Sequence, residues 1–135
     1  MANYNEQTRS NYFRVKDKAA FRAFLDRFDS SVKLIEDDHG RVGFLAEEGI
    51  PSSYMPDEPG HDGDDVDFVS ELAAHLADHE VMIVVGTGFE KMRYLVGYAI
   101  AINNRKERRE LDLNGIYKLA EQLTKRPKRI TRAEY

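Results

Sequence analysis

The side chains best equipped for chemistry in this 135-residue chain are carboxylates, and they are crowded together. Asp57 and Glu58 are followed by Asp62, Asp64, Asp65 and Asp67. Hard divalent cations take several oxygen ligands, and Asp at alternating positions supplies them. The spacing does not fit a twelve-residue calcium loop, which requires carboxylates at fixed offsets and a closing Glu. Two other roles fit better. Asp64 or Asp65 would cap a following helix, and all three aspartates from Asp64 to Asp67 would sit favourably at its positive dipole end. Alternatively, the six acidic residues form a surface that imitates a phosphate backbone and occupies a basic nucleic-acid groove on another protein.

Three further patterns bear on chemistry. Glu71, His75 and His79 lie four apart, which on an unbroken helix would line up a carboxylate and two imidazoles as in some zinc sites. No HExxH pattern or further ligand accompanies them, and a solvent-facing flank is the simpler reading. Gly86-Thr87-Gly88 follows an apolar run as a phosphate loop would, yet it lacks the third glycine and the Gly-Lys-Ser/Thr ending, so a hairpin turn is expected. There is no Gly-x-Ser-x-Gly elbow and no cysteine, which removes thiolate nucleophiles, thiolate metal sites and disulfides. The expectation is a non-enzymatic protein with neither cofactor nor metal.

Cations are segregated from this acidic stretch. Residues 34–80 hold fourteen Asp and Glu against one basic residue, Arg41, whereas residues 1–33 carry a net +3 and residues 81–135 a net +6. A field that changes sign along a small protein steers charged partners. Arg105, Lys106, Arg108 and Arg109, with Lys125, Arg126, Lys128, Arg129 and Arg132, form the alternative candidate site, a phosphate-binding one. No aromatic residues are interleaved there for base stacking.

Elements must position these groups. Residues 1–9 are polar and expected to lack regular structure, and the first strand signal falls at residues 11–16, where Phe13 and Val15 alternate with Arg14 and Lys16. Asp17 then caps a helix whose stripe is Phe21, Phe24, Leu25 and Phe28. Residues 32–35 and 41–46 read as a hairpin about Gly40. Residues 47–64 hold three of the four prolines and form a long loop. A second helix buries Phe68, Val69, Leu72, Ala73 and Leu76.

Val81-Met82-Ile83-Val84-Val85 is uniformly apolar, as expected of a central strand covered on both faces. Residues 92–102 form its partner, and the charged residues 105–110 an exposed edge strand or turn. A last helix places Ile116, Leu119, Ala120 and Leu123 inward. The predicted fold class is α+β, a mostly antiparallel sheet of five or six strands with about three helices packed on it. Its order is β-α-β-β-α-β-β-(β)-α, and the first six elements match a ferredoxin-like unit. One domain over residues 10–124 would precede a basic tail at residues 125–135. No apolar run is long enough for a membrane helix and the amino terminus lacks a hydrophobic leader, so a soluble cytoplasmic protein is expected.

Arg9-Ser10-Asn11-Tyr12-Phe13-Arg14-Val15-Lys16-Asp17, the strand at residues 80–85 and Glu90-Lys91-Met92-Arg93-Tyr94-Leu95-Val96-Gly97-Tyr98-Ala99 together resemble small proteins carried by phages, plasmids and conjugative elements. The resemblance spans most of the chain and brings no functional residues with it. It implies an anti-defence context, such as an anti-CRISPR or anti-restriction inhibitor that occupies a site on a larger host defence effector. The functional expectation is such an inhibitor acting through Asp57, Glu58, Asp62, Asp64, Asp65 and Asp67. The alternative is a nucleic-acid-binding accessory protein using the basic residues.

Overall fold

The computed structural model describes residues 4–56, 63–90 and 94–133. Among these residues it is an α+β structure with one six-stranded antiparallel sheet and three α-helices. The strands are β1 (Tyr4–Ser10), β2 (Val32–Glu36), β3 (Val42–Ala46), β4 (Val81–Glu90), β5 (Tyr94–Asn103) and β6 (Arg108–Asp112), in spatial order β2-β3-β1-β4-β5-β6. Helix α1 (Lys18–Leu25) connects β1 to β2, α2 (Phe68–Ala73) connects β3 to β4, and α3 (Gly115–Glu121) follows β6. The first four strands therefore have the ferredoxin-like arrangement, extended on the β4 side by β5 and β6.

Local signals explain most of these elements. Asp17 accepts from the backbone N–H groups of Ala19 and Ala20 and starts α1. The β2–β3 hairpin turns at Gly40, whose φ of +77° is the left-handed conformation glycine adopts freely. The aspartate that caps α2 is Asp67, which accepts from Ser70 N–H, rather than Asp64 or Asp65.

Two helices cover one face of the sheet. Phe21, Phe24 and Leu25 of α1 and Phe68, Val69, Leu72 and Ala73 of α2 are buried against Phe44, Met82, Val84, Ile100 and Ile102. Phe68 is the hub of an aromatic cluster, with ring centroids 5.0 Å from Phe28, 5.0 Å from Phe44 and 5.8 Å from Phe24. Such pairs add to the area term of burial.

The start of the chain departs from the sequence reading. Residues 4–9, expected to lack regular structure, belong to β1, which lies in the middle of the sheet between β3 and β4. Its polarity hid it. Thr8 and Ser10 face the helices yet are buried, because their hydroxyls find partners: Thr8 shares a 3.0 Å hydrogen bond with the Tyr98 hydroxyl, and Ser10 Oγ accepts from Phe44 N–H at 2.9 Å. The strand expected at residues 11–16 survives only as isolated bridges, Phe13 to Val42 and Val15 to Leu76.

Between the Arg9–Leu45 and Phe13–Val42 pairs, the β1 side carries one extra residue, a bulge. Side chains substitute for the interrupted ladder. Ser10 Oγ also donates to the Asn11 carbonyl, and Asn11 reaches β4 by accepting from Ile83 N–H at 2.8 Å and donating to the Val81 carbonyl at 3.2 Å. The bulge thus clamps the first residues of β4 in place.

Candidate interaction interface

Strand β4 decides what the other face of the sheet looks like. Its residues alternate strictly between exposed and buried from Val81 to Glu90, so the strand is covered on one face and open on the other. This corrects the expectation of burial on both faces. Gly86-Thr87-Gly88 does not form the expected hairpin turn either; the strand runs through it. Gly86 is required there because the Tyr98 ring lies across it, and a Cβ at that position would collide with Tyr98 Cζ and the Tyr98 hydroxyl.

Pairing partners in an antiparallel ladder point to the same face, so the registers define the open surface. Val81, Ile83, Val85 and Phe89 of β4 stand beside Ala101, Ala99 and Leu95 of β5, and β6 adds Arg109 and Leu111 beyond them. Leu113 folds back over Gly97 on the same side. Seven of these side chains, Val81, Ile83, Val85, Phe89, Leu95, Leu111 and Leu113, are between 42 and 70% exposed. Arg9 and Gln7 of β1 border the surface on the other flank, through their pairing with Val85 and Thr87.

Helix α3 extends this apolar surface instead of closing the core. Ile116, Leu119 and Leu123, expected to point inward, are exposed, and no residue of α3 is buried. Ile116 and Leu119 line a groove of about 800 Å³ with Leu95, Leu111 and Leu113. The chain after the helix is held across it rather than trailing away: Arg132 stacks 4.2 Å from the Tyr117 ring centroid and donates to Asn114 at 2.9 Å, and Ala133 N–H donates to the Tyr117 hydroxyl at 2.8 Å.

The acidic candidates that the structure describes, Asp64, Asp65 and Asp67, lie on the opposite, helix-covered side. Asp57, Glu58 and Asp62 fall outside the described residues. Asp64, Asp65 and Asp67 are exposed beside α2. Asp67 is engaged in its capping bond and stands 3.8 Å from Arg108, so the fold brings a candidate acidic residue against a candidate basic one.

The basic candidates do not form one surface. Arg105 pairs with Glu107 at 2.9 Å and Arg108 with Glu110 at 2.6 Å, while Arg109 projects from the open face. Lys106 occupies a positive-φ turn, and Lys125, Arg126, Lys128 and Arg129 are exposed after α3.

The proposed alignment of Glu71, His75 and His79 fails because α2 stops at Ala73 and His79 sits in a turn at φ +67°. Among the described residues, no group of three His, Asp or Glu side chains is placed to hold a metal. His75 instead packs against the rings of Phe24 and Phe21, at centroid distances of 5.2 and 6.2 Å. Burial there pushes its pKa below the ordinary 6.5, Glu71 and Asp17 oppose the shift, and Lys16 adds to it.

The unfolded chain therefore binds the proton at a higher pH than the folded one, and stability falls as the pH drops through the ordinary value. A His75→Phe variant is expected to lose less stability than the parent between about pH 7 and pH 5. Urea denaturation at several pH values tests this, and equal slopes would exonerate the imidazole.

Among the described residues, no helix is long and apolar enough to cross a membrane. Compared with known proteins, the chain matches no family model, no curated protein and no solved structure.

Proposed function

We propose that the protein is a non-enzymatic interaction protein whose contact surface is the open face of its sheet. The observation that carries this reading is the row of exposed Val, Ile, Phe and Leu side chains across β4, β5 and β6. Between its flanking Arg9 and Arg109, this face offers mainly dispersion and desolvation. Phe89 is the one aromatic among its seven large apolar residues, so the face offers little stacking to bases and suits another apolar protein surface.

The role that the sequence resemblance suggests, inhibition of a host defence effector, is a binding role of this kind. The acidic surface supplies a second and separate reading. Asp64 and Asp65 are exposed on the helix side, so they stay accessible when the open face is covered, and a basic nucleic-acid groove is the partner their charge fits.

Affinity capture from a bacterial host with nuclease present tests both, using the parent chain, a Val85→Glu variant and a chain with the six acidic residues changed to Asn or Gln. Loss of a stoichiometric protein on Val85→Glu alone supports the open face. Loss on the acidic substitutions alone supports the groove-mimic reading. A retained protein unaffected by either set, with each variant folded by circular dichroism, would refute both.

A further inference from the structure

We infer that the open face is covered by a second copy of the same chain, in a two-fold dimer that lays the β4 ridge of each protomer into the β5 trough of the other. The inference rests on the reading of the open face as the contact surface and names its occupant.

Area is the first argument. Side chains of this size at the observed exposures present about 600 Å² on the sheet and about 1,000 Å² with α3, against the ~300–600 Å² of the largest patch on a typical monomer and the ~800 Å² per partner of a standard interface. The sheet alone reaches the top of the monomer range, and with α3 the surface passes it and matches one side of a standard interface. A second copy is the one apolar partner always synthesised in equal amount.

Shape is the second. Along β4, Val81, Ile83 and Val85 form a ridge, and directly beside Ile83 and Val85 the β5 strand carries only the methyl groups of Ala101 and Ala99. Beyond these alanines Leu111 rises again, so a trough of about 190 Å³ runs between Ile83 and Leu111. A two-fold axis parallel to the strands and between β4 and β5 exchanges ridge and trough. Isologous interfaces are self-complementary in this way, with residue i meeting j and j meeting i. Sheets packed face to face at their usual small crossing angle allow such contacts over several residues.

Charge is the third. The centre of the face is uncharged, and the same symmetry keeps the flanking cations apart. In the registers of the sheet, Arg9 lies level with Val85, Ala99 and Leu111, whereas Arg109 lies level with Ala101, Ile83 and Asn11. The axis therefore sets Arg9 against Leu111 of the other copy, where its methylene stem has an apolar surface to cover. Arg109 meets Asn11, and no like charges oppose each other. The helix sides, with Asp64 and Asp65, then point outward in both copies.

Sedimentation equilibrium of the full chain tests the assembly, and chemical crosslinking tests the register. A mass of two chains is expected at micromolar concentration. Val85→Glu is expected to weaken association by about a hundred-fold or more, since an unpaired carboxylate would be buried at the interface. The chain has no cysteine, so a mixture of Val85→Cys and Ala99→Cys chains treated with a short bis-maleimide reports one contact only. That mixture should crosslink more strongly than either variant alone.

A dimer unaffected by Val85→Glu would overturn the inference, as would equal crosslinking in the mixture and in the single variants. A monomer would overturn it too. If that monomer still loses a captured foreign protein on Val85→Glu, the open-face reading stands and only its proposed occupant is wrong.

Discussion

Replacing Phe68 by alanine is expected to remove about 3–5 kcal/mol of folding stability, the range for truncating a large aromatic in a close-packed core. Phe68 is 1% exposed, begins α2 and touches rings from three directions: Phe24 and Phe28 from α1 and the residues after it, and Phe44 from β3. Collapse into the cavity is hindered because Phe44 is held by its strand and Phe24 and Phe28 already pack on Tyr54. At six residues α2 is too short to be stable by itself, and it depends on the burial of Phe68 together with Val69, Leu72 and Ala73. Urea denaturation measures the effect as a lower midpoint at unchanged slope. A loss below about 1.5 kcal/mol would mean that the cluster repacks and that α2 is held by other contacts.

The core of the helix side was legible in the sequence because it follows simple periods. The stripe of α1 and the hydrophobic face of α2 place the same residues inside that the structure buries, and the Asp17 cap and Gly40 turn are local signals that tertiary contacts do not override. Polarity concealed β1, since a central strand whose inward residues are Thr8 and Ser10 carries no apolar alternation. Only knowledge of the Tyr98 hydroxyl and the Phe44 N–H, both distant in sequence, makes those positions readable.

The open face was missed for a different reason. A strand with Val, Ile and Met at every position reads as buried on both sides, and nothing local says that no element among the described residues covers its second face. The informative signal lay in the partner strand. Gly97, Ala99 and Ala101 alternate small residues on one face of β5, a pattern suited to close approach by another surface. The same applies to α3. Its stripe of Ile116, Leu119 and Leu123 is amphipathic in the ordinary way, yet periodicity does not say whether the apolar side meets its own core or another molecule.

Gly43→Ala is expected to cost about 1–3 kcal/mol, in the range of overpacking a position that cannot relax. A Cβ at Gly43 would fall 2.6 Å from the Asn11 carbonyl oxygen and 2.7 Å from Ser10 Oγ. Retreat of a flexible side chain does not relieve the first contact, because the oxygen belongs to the backbone of the β1 bulge. Moving it pulls on two connections at once: the Ser10 hydroxyl that accepts from Phe44, and the Asn11 amide that holds Ile83 and Val81.

The cost should therefore reach the open face. Amide hydrogen exchange is expected to show faster exchange at Ile83 as well as at Phe44 in the variant, while α1 and the β2–β3 turn retain their protection. Exchange confined to β3 would show that the bulge absorbs the methyl group by itself. In that case the clamp between β1 and β4 would not be what fixes the ridge of Val81, Ile83 and Val85.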